Sequence, residues 1–217
     1  MYLEPVSETT VHRGQEQWRS IRTLGSLFGT AQDVTRRIGL SAVAFGRMKA
    51  IWFRRQHLQT NTMVRLYNAY VLPILTYNIG CAGLSKALED SLDKIHRKQL
   101  RHMLGIFYPR VVSNDDLYEL AHTEPISAMA KRARWRLLGH ILRQPSSTPG
   151  NQAMIAYASM EDAVRHRRGA PRSCLVTTLQ QDVKFTAVAL KTSRNLETLR
   201  SCAVDRQKWS NICSAVV

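Results

Sequence analysis

The chain has 217 residues, 44% hydrophobic and 22% charged, which excludes a disordered segment and leaves one domain with a real core or two small ones. Its 31 Lys+Arg against 16 Asp+Glu give a formal net charge of +15, so it repels itself and attracts polyanions, nucleic acid first and an anionic membrane surface second. Arginine outnumbers lysine, and forked guanidinium donors suit phosphate better than a merely solubilising surface.

Cys81, Cys174, Cys202 and Cys213 form no CxxC pair and have no His at ligand spacing beside them. They are expected to be reduced, mostly buried thiols of an intracellular protein, nuclear or cytoplasmic, and no zinc site is expected. Met1–Gln17 has no apolar core of a signal peptide and no clear period, so it is expected to be a loose tail.

Ser20–Phe28, punctuated by Gly25 and Gly29, predicts a short strand pair or strand–turn near residues 20–28. Ala31–Gln56 predicts one long helix with Val34, Ile38, Ala42, Phe45, Met48 and Trp52 on its core face. Arg36, Arg47 and Arg54 return to nearly one angle on that helix and form a basic ridge, flanked by Arg37, Lys49 and Arg55. A solvated helix face would give the same pattern.

Asn61 is the expected N-cap of the next helix, with Val64, Tyr67, Val71 and Leu75 inward and Pro73 as a kink or a new start. Leu66–Ser85 is uncharged over about 20 residues, the length of a membrane span, but Asn68, Pro73, Asn78 and Gly80 favour a buried helix. Ser85 caps Lys86–Leu104, with Leu88, Leu92, Ile95 and Met103 inward, Lys94, Arg97, Lys98 and Arg101 outward, and Gly105 as its stop. Ser113 to Asp116 starts a small helix through Ala121. Its paired Asp residues sit where a helix start favours negative charge, so no metal site is expected there.

Ile126–Arg143 predicts one helix, with Pro125 at its first turn. Ile126, Ala130, Ala133, Leu137 and Ile141 line one apolar face, and Trp135, Leu138 and Leu142 make a second stripe. Arg132, Arg136 and Arg143 form a basic ridge between them. Such a helix packs between neighbours and shows its arginines at a cleft. Gly139 leaves room between Arg136 and Arg143 for a backbone or a phosphate, while His140 is a surface or structural residue.

Gln144–Gly150 has linker composition and is the best candidate boundary. Asn151–Val164 is a weaker helix. Arg165–Arg172 is a basic turn whose Arg167 and Arg168 suit phosphate contact. Ser173–Ala189 and Leu196–Ser214 are further helices. No nucleophilic triad, glycine-rich phosphate loop or HExxH motif is present, so no catalytic residue is expected.

Seven segments then form an ordered set: LGSLFG (Leu24–Gly29), AFGRMKAIW (Ala44–Trp52), RLYNAYVLPILTYNIG (Arg65–Gly80), LDKIHRKQLRHMLGI (Leu92–Ile106), RARWRLLGHILR (Arg132–Arg143), RRGAPR (Arg167–Arg172) and DRQKWSNIC (Asp205–Cys213). From about Thr23 to near its end, the chain resembles the C-terminal part of the reverse transcriptase of non-LTR (LINE-type) retrotransposons. It departs at Thr23, where an aromatic is usual, at Asn78 and Gly80, at Ala170, and by extra residues within Trp135–His140. Fingers, palm catalytic Asp residues and endonuclease have no counterpart, so a truncated copy is expected.

The resemblance implies a mainly α fold, a helical thumb-like bundle followed by a helical linker and C-terminal extension. It divides the chain into a tail (1–19), a palm remnant with thumb (20–108), a linker with the basic helix (109–146) and an extension (147–217). Leu24, Leu27 and Phe28 would then leave an exposed apolar edge. The implied role is non-catalytic. Arg36, Arg47, Arg54, Lys98, Arg101, Arg132, Arg136, Arg143, Arg167 and Arg168 would contact phosphates of RNA, DNA or their hybrid, largely without sequence preference. Neither a membrane nor a small-molecule substrate is expected as partner. No cofactor is expected, because the parent enzyme's Mg2+ ligands are absent. A domesticated protein-binding scaffold and a remnant without function are the alternatives.

Overall fold

The structure is a computed structural model that describes residues 21–27, 29–53, 57–159, 178–179, 182 and 193–216. The expected tail, Phe28, Arg54, Cys174, the turn Arg165–Arg172 and most of Ser173–Ala189 lie outside these residues. The fold is mainly α-helical.

Strands β1 (Arg22–Thr23) and β2 (Ser26–Leu27) pair antiparallel, Thr23 opposite Ser26. Leu24 and Gly25 make the turn with φ of +48° and +85°, the positive values a two-residue hairpin with the right twist requires. Of the expected apolar edge, Leu24 is 90% exposed at the hairpin tip, whereas Leu27 is half-buried and Phe28 lies outside the described residues.

Helix α1 spans Thr30–Arg47 and stops at Met48, and a short α2 follows over Lys49–Phe53. This corrects the single long helix. The break lets Trp52 fold back, so that its Nε1 donates to the Phe45 carbonyl at 2.9 Å and its ring stacks on Phe45 with centroids 5.2 Å apart. The Phe45 carbonyl, at the helix end, also accepts from the Met48 amide at 3.2 Å, so it takes two donors. The inward face also differs: Arg37 and Ser41 are buried, whereas Ala42 is exposed.

Helix α3 (Thr60–Tyr70) begins after Gln59, not Asn61, and α4 (Leu72–Thr76) carries Pro73 in its first turn. Val64, Tyr67, Val71 and Leu75 are all buried, as their spacing predicts. A 3-10 turn at Ile79–Cys81 follows Asn78, whose φ is +57°. The uncharged stretch is therefore divided among short elements, and among the described residues no helix is long and apolar enough to cross a membrane. Cys81 is exposed, not buried, while Cys202 is half-buried and Cys213 buried, all three free thiols.

Helix α5 (Lys86–Leu104) ends at Gly105, whose φ of +68° reverses the chain. Helix α6 (Asn114–Leu120) is capped by Ser113, whose hydroxyl accepts from the Asp116 amide at 3.1 Å. Helix α7 (Ile126–Arg143) has the expected bounds. Asp93 of α5 caps it from outside: its carboxylate accepts from the amide and hydroxyl of Ser127, at 3.0 and 2.7 Å. Helix α8 is Pro149–Ser159. The expected last helix is two, α9 (Ser193–Val204) and α10 (Arg206–Ala215), because Asp205 between them accepts from the amides of Gln207 and Lys208 and starts α10 afresh.

Apolar side chains of the described residues gather in three clusters, and α7 bridges two of them. Ile126 and Ala130 of its first half pack with Val34, Leu75, Ile79 and Leu92. Trp135, Leu138 and Leu142 of its second half pack with Met154, Leu199, Trp209 and Cys213. The third cluster holds Trp52, Val64, Tyr67, Leu100 and Leu117. The predicted linker is a tight turn: buried Asn151 donates to the carbonyls of Ile141 and Gln144 at 3.2 and 2.9 Å and accepts from Arg200 at 2.7 Å.

A buried polar chain crosses the third cluster. The Tyr67 hydroxyl lies 2.8 Å from His96 Nδ1 and donates to Gln99 Oε1 at 2.9 Å, and Gln99 donates to Ser41 at 3.4 Å. Burial pushes the His96 imidazole down to about 4, against the opposing pull of Asp93 and the Glu124 carbonyl. His96 is therefore neutral at pH 7.

Candidate nucleic-acid interface

The predicted cations divide by what already holds them. Arg36 donates to the Gly25 carbonyl at 3.1 Å and sits 4.0 Å from Asp33. Arg101 donates to the Val112 carbonyl and to Asn114, at 3.3 and 2.9 Å. Arg132 grips Glu124 with both forks, NH2 to Oε2 at 2.8 Å and NH1 to Oε1. These three are half-buried and serve the fold whatever else they contact. Arg47, Lys98 and Arg136 are exposed and have no acidic partner among the described residues. Arg54, Arg167 and Arg168 lie outside the described residues.

Arg136 and Arg143 come together at one cavity of about 360 Å³ between α7 and α10. Its other lining residues are His140, Arg206, Trp209, Ser210 and Cys213. The periodicity of both helices explains the assembly. Arg136, His140 and Arg143 stand at i, i+4 and i+7 on α7, and Arg206, Ser210 and Cys213 stand at i, i+4 and i+7 on α10. Two equivalent faces therefore meet. Arg143 is steadied by donating from NH1 to the Ala203 carbonyl at 3.1 Å. Burial raises the Cys213 thiol above its ordinary value, and the charges of Arg136, Arg143 and Arg132 pull the other way, so a sulfur at the cavity floor feels all three guanidiniums.

Gly139 does not open the ridge to a phosphate. A Cβ there would meet Trp209 Nε1 at 2.1 Å, so the indole of α10 occupies that space. Gly80 plays the same part on another side of α7, where a Cβ would lie 3.0 Å from the Ala133 backbone. The two glycines allow α7 its close neighbours.

Reasoning from sequence did not single out Arg206, Ser210 or the buried Arg134, and placed the buried Arg37 only as a flank of a basic ridge. Arg37 donates to the Gly25 carbonyl at 2.7 Å and to Asp33 at 3.3 Å, and lies 4.4 Å over the Tyr77 ring. Arg134, 1% exposed, holds Asp182 with two bonds of 3.1 and 3.2 Å and pairs with Glu89 at 3.6 Å. Both stitch the fold. Among the described residues, no group of His, Cys, Asp and Glu side chains is placed to hold a metal ion. No family model, curated protein or solved structure matches the chain.

Proposed function

We propose that the chain is a helical grip for nucleic acid, corresponding to the thumb and linker of a non-LTR retrotransposon reverse transcriptase. It holds template–primer duplex or template RNA through phosphates and performs no chemistry itself. The observation that carries this reading is how the cations are mounted. Arg47 on α1, Lys98 on α5 and Arg136 on α7 are exposed, without acidic partners among the described residues, on helices whose opposite faces are buried. A phosphate grip needs that rigid backing and no base contacts. Asn78, where the resembled family often has Gly, holds a φ of +57° that glycine adopts freely and asparagine tolerates, which also supports the reading.

Fluorescence anisotropy on an RNA–DNA hybrid at several salt concentrations tests it. Affinity should fall linearly on a log–log plot, and the slope should shrink by about one for each phosphate-contacting cation removed. Weak binding that ignores salt would sink the proposal. Primer extension with magnesium checks the non-catalytic part, where any extension product would overturn it.

A further inference from the structure

We infer that the recess between α7 and α10 binds a phosphate monoester dianion. The inference deepens the proposed function and rests on it only for the molecule to which the phosphate belongs. Three arginines, Arg136, Arg143 and Arg206, line one cavity with His140 and Ser210, and no lining residue is acidic. Groups around a cavity of about 360 Å³ are close enough that salt, with a screening length of about 8 Å, does not hide them from one another. The nearest carboxylate in sequence, Asp205, is committed to capping α10.

This arrangement concentrates positive potential at one recess, which an anion neutralises. The anion's shape follows from the donors. Arg143 spends NH1 on the Ala203 carbonyl, which fixes its plane and leaves its remaining nitrogens for a ligand. Arg136 and Arg206 approach from the two opposing helices, and the Ser210 hydroxyl adds a neutral donor. A carboxylate offers two oxygens in one plane. A tetrahedral phosphate offers oxygens in several directions, and guanidinium forks match it. An internal phosphodiester carries one charge and two free oxygens. A monoester carries nearly two charges at neutral pH and three acceptor oxygens. Three cationic residues around one recess fit the monoester, as inorganic phosphate or as the phosphorylated end of a strand.

The recess is also a joint. Trp209, whose ring packs on Trp135 with centroids 5.8 Å apart, forms part of its wall. A bound dianion bridges α7 to α10 and strengthens their docking.

The test is thermal unfolding of the full chain with increasing inorganic phosphate, against chloride at matched ionic strength. The expected result is a saturable rise in Tm beyond chloride. Arg136→Ala and Arg206→Ala remove exposed side chains and should fold normally, while each weakens phosphate binding roughly tenfold, the loss of one charge-assisted bond. Arg22→Ala, which removes an equal charge on β1, should leave the rise intact. No rise beyond chloride, or a rise that survives both recess substitutions, overturns the inference.

Oligonucleotides with 5′-phosphate or 5′-hydroxyl ends identify the source. Tighter binding of the phosphorylated end, lost in Arg206→Ala, assigns a strand end. Equal binding of both, with the Tm rise present, assigns free phosphate. Hybrid binding measured in parallel separates the two readings. A phosphate effect without hybrid binding removes the proposed function alone, and hybrid binding without a phosphate effect removes this inference alone.

Discussion

The indole Nε1 of Trp209 donates a 3.0 Å hydrogen bond to the main-chain carbonyl of Trp135. It reaches that carbonyl only because residue 139, one turn further along α7, has no side chain. A C-terminal helix is thereby keyed into the helix that bridges two hydrophobic clusters. The same contact sets the spacing between the basic faces of α7 and α10, so core packing and the charged recess share one geometry.

Gly139→Ala tests this contact. Alanine gains about 1 kcal/mol of helix propensity over glycine, but overpacking typically costs about 1–3 kcal/mol and the displaced hydrogen bond about 1 more. The clash should win, with a net loss of about 2 kcal/mol by urea unfolding. In a Trp209→Ala background the obstacle is gone, and the same substitution should be neutral or stabilising. An equal cost in both backgrounds would refute the account.

Arg134 offers a second check. It is 1% exposed, and Asp182 beside it is 5% exposed. Arg134→Met keeps much of the volume but strands a buried carboxylate, which should cost about 3–5 kcal/mol. Adding Asp182→Leu should recover a large part of that loss, since apolar replacements of buried ion pairs are often tolerated. Denaturant midpoints of the single and double variants decide it, and a double variant no better than Arg134→Met would count against the pairing.

The elements most legible in the sequence were those whose signals are local. Gly105 after a long amphipathic run marked the end of α5, and Pro125 before Ile126 marked the start of α7. The break at Met48 was not legible, because it depends on Trp52 folding back to a carbonyl seven residues away. The single helix expected over Leu196–Ser214 is split because the Asp205 carboxylate accepts from the Gln207 and Lys208 amides. Arg134 looked like one more basic residue because its partner Asp182 is 48 positions distant. The α10 face of Arg206, Ser210 and Cys213 was not legible either, because its meeting with the α7 face rests on packing between the two helices, the Gly139–Trp209 contact included.

The pH dependence of stability should carry the mark of His96. Its folded value is lowered from 6.5 to about 4 by burial, so the unfolded chain takes up the proton first. The contribution is complete above pH 6.5 and is lost as pH falls toward 4. Between pH 8 and 5 the loss from this residue is about 2 kcal/mol. His96→Gln removes the titrating group, and its stability profile over that interval should be flatter than that of the parent by about the same amount. Parallel profiles would show that His96 does not titrate this way.

Arg132 and Arg136 share one basic ridge in sequence, but the structure gives them different surroundings, and their substitution should separate two properties. Arg132 is locked on Glu124 across the start of α7. Arg132→Ala should therefore lower stability by about 1 kcal/mol, the upper range for a partly exposed ion pair, and leave the salt slope of hybrid binding nearly unchanged. Arg136 is exposed at the recess. Arg136→Ala should leave stability within about 0.5 kcal/mol of the parent and shrink the slope of log affinity against log salt by about one. Thermal unfolding and anisotropy on the same preparations measure both. If the two substitutions change the slope equally, the Glu124 pair does not hold Arg132 back from the polyanion, and the ridge acts as one undivided surface.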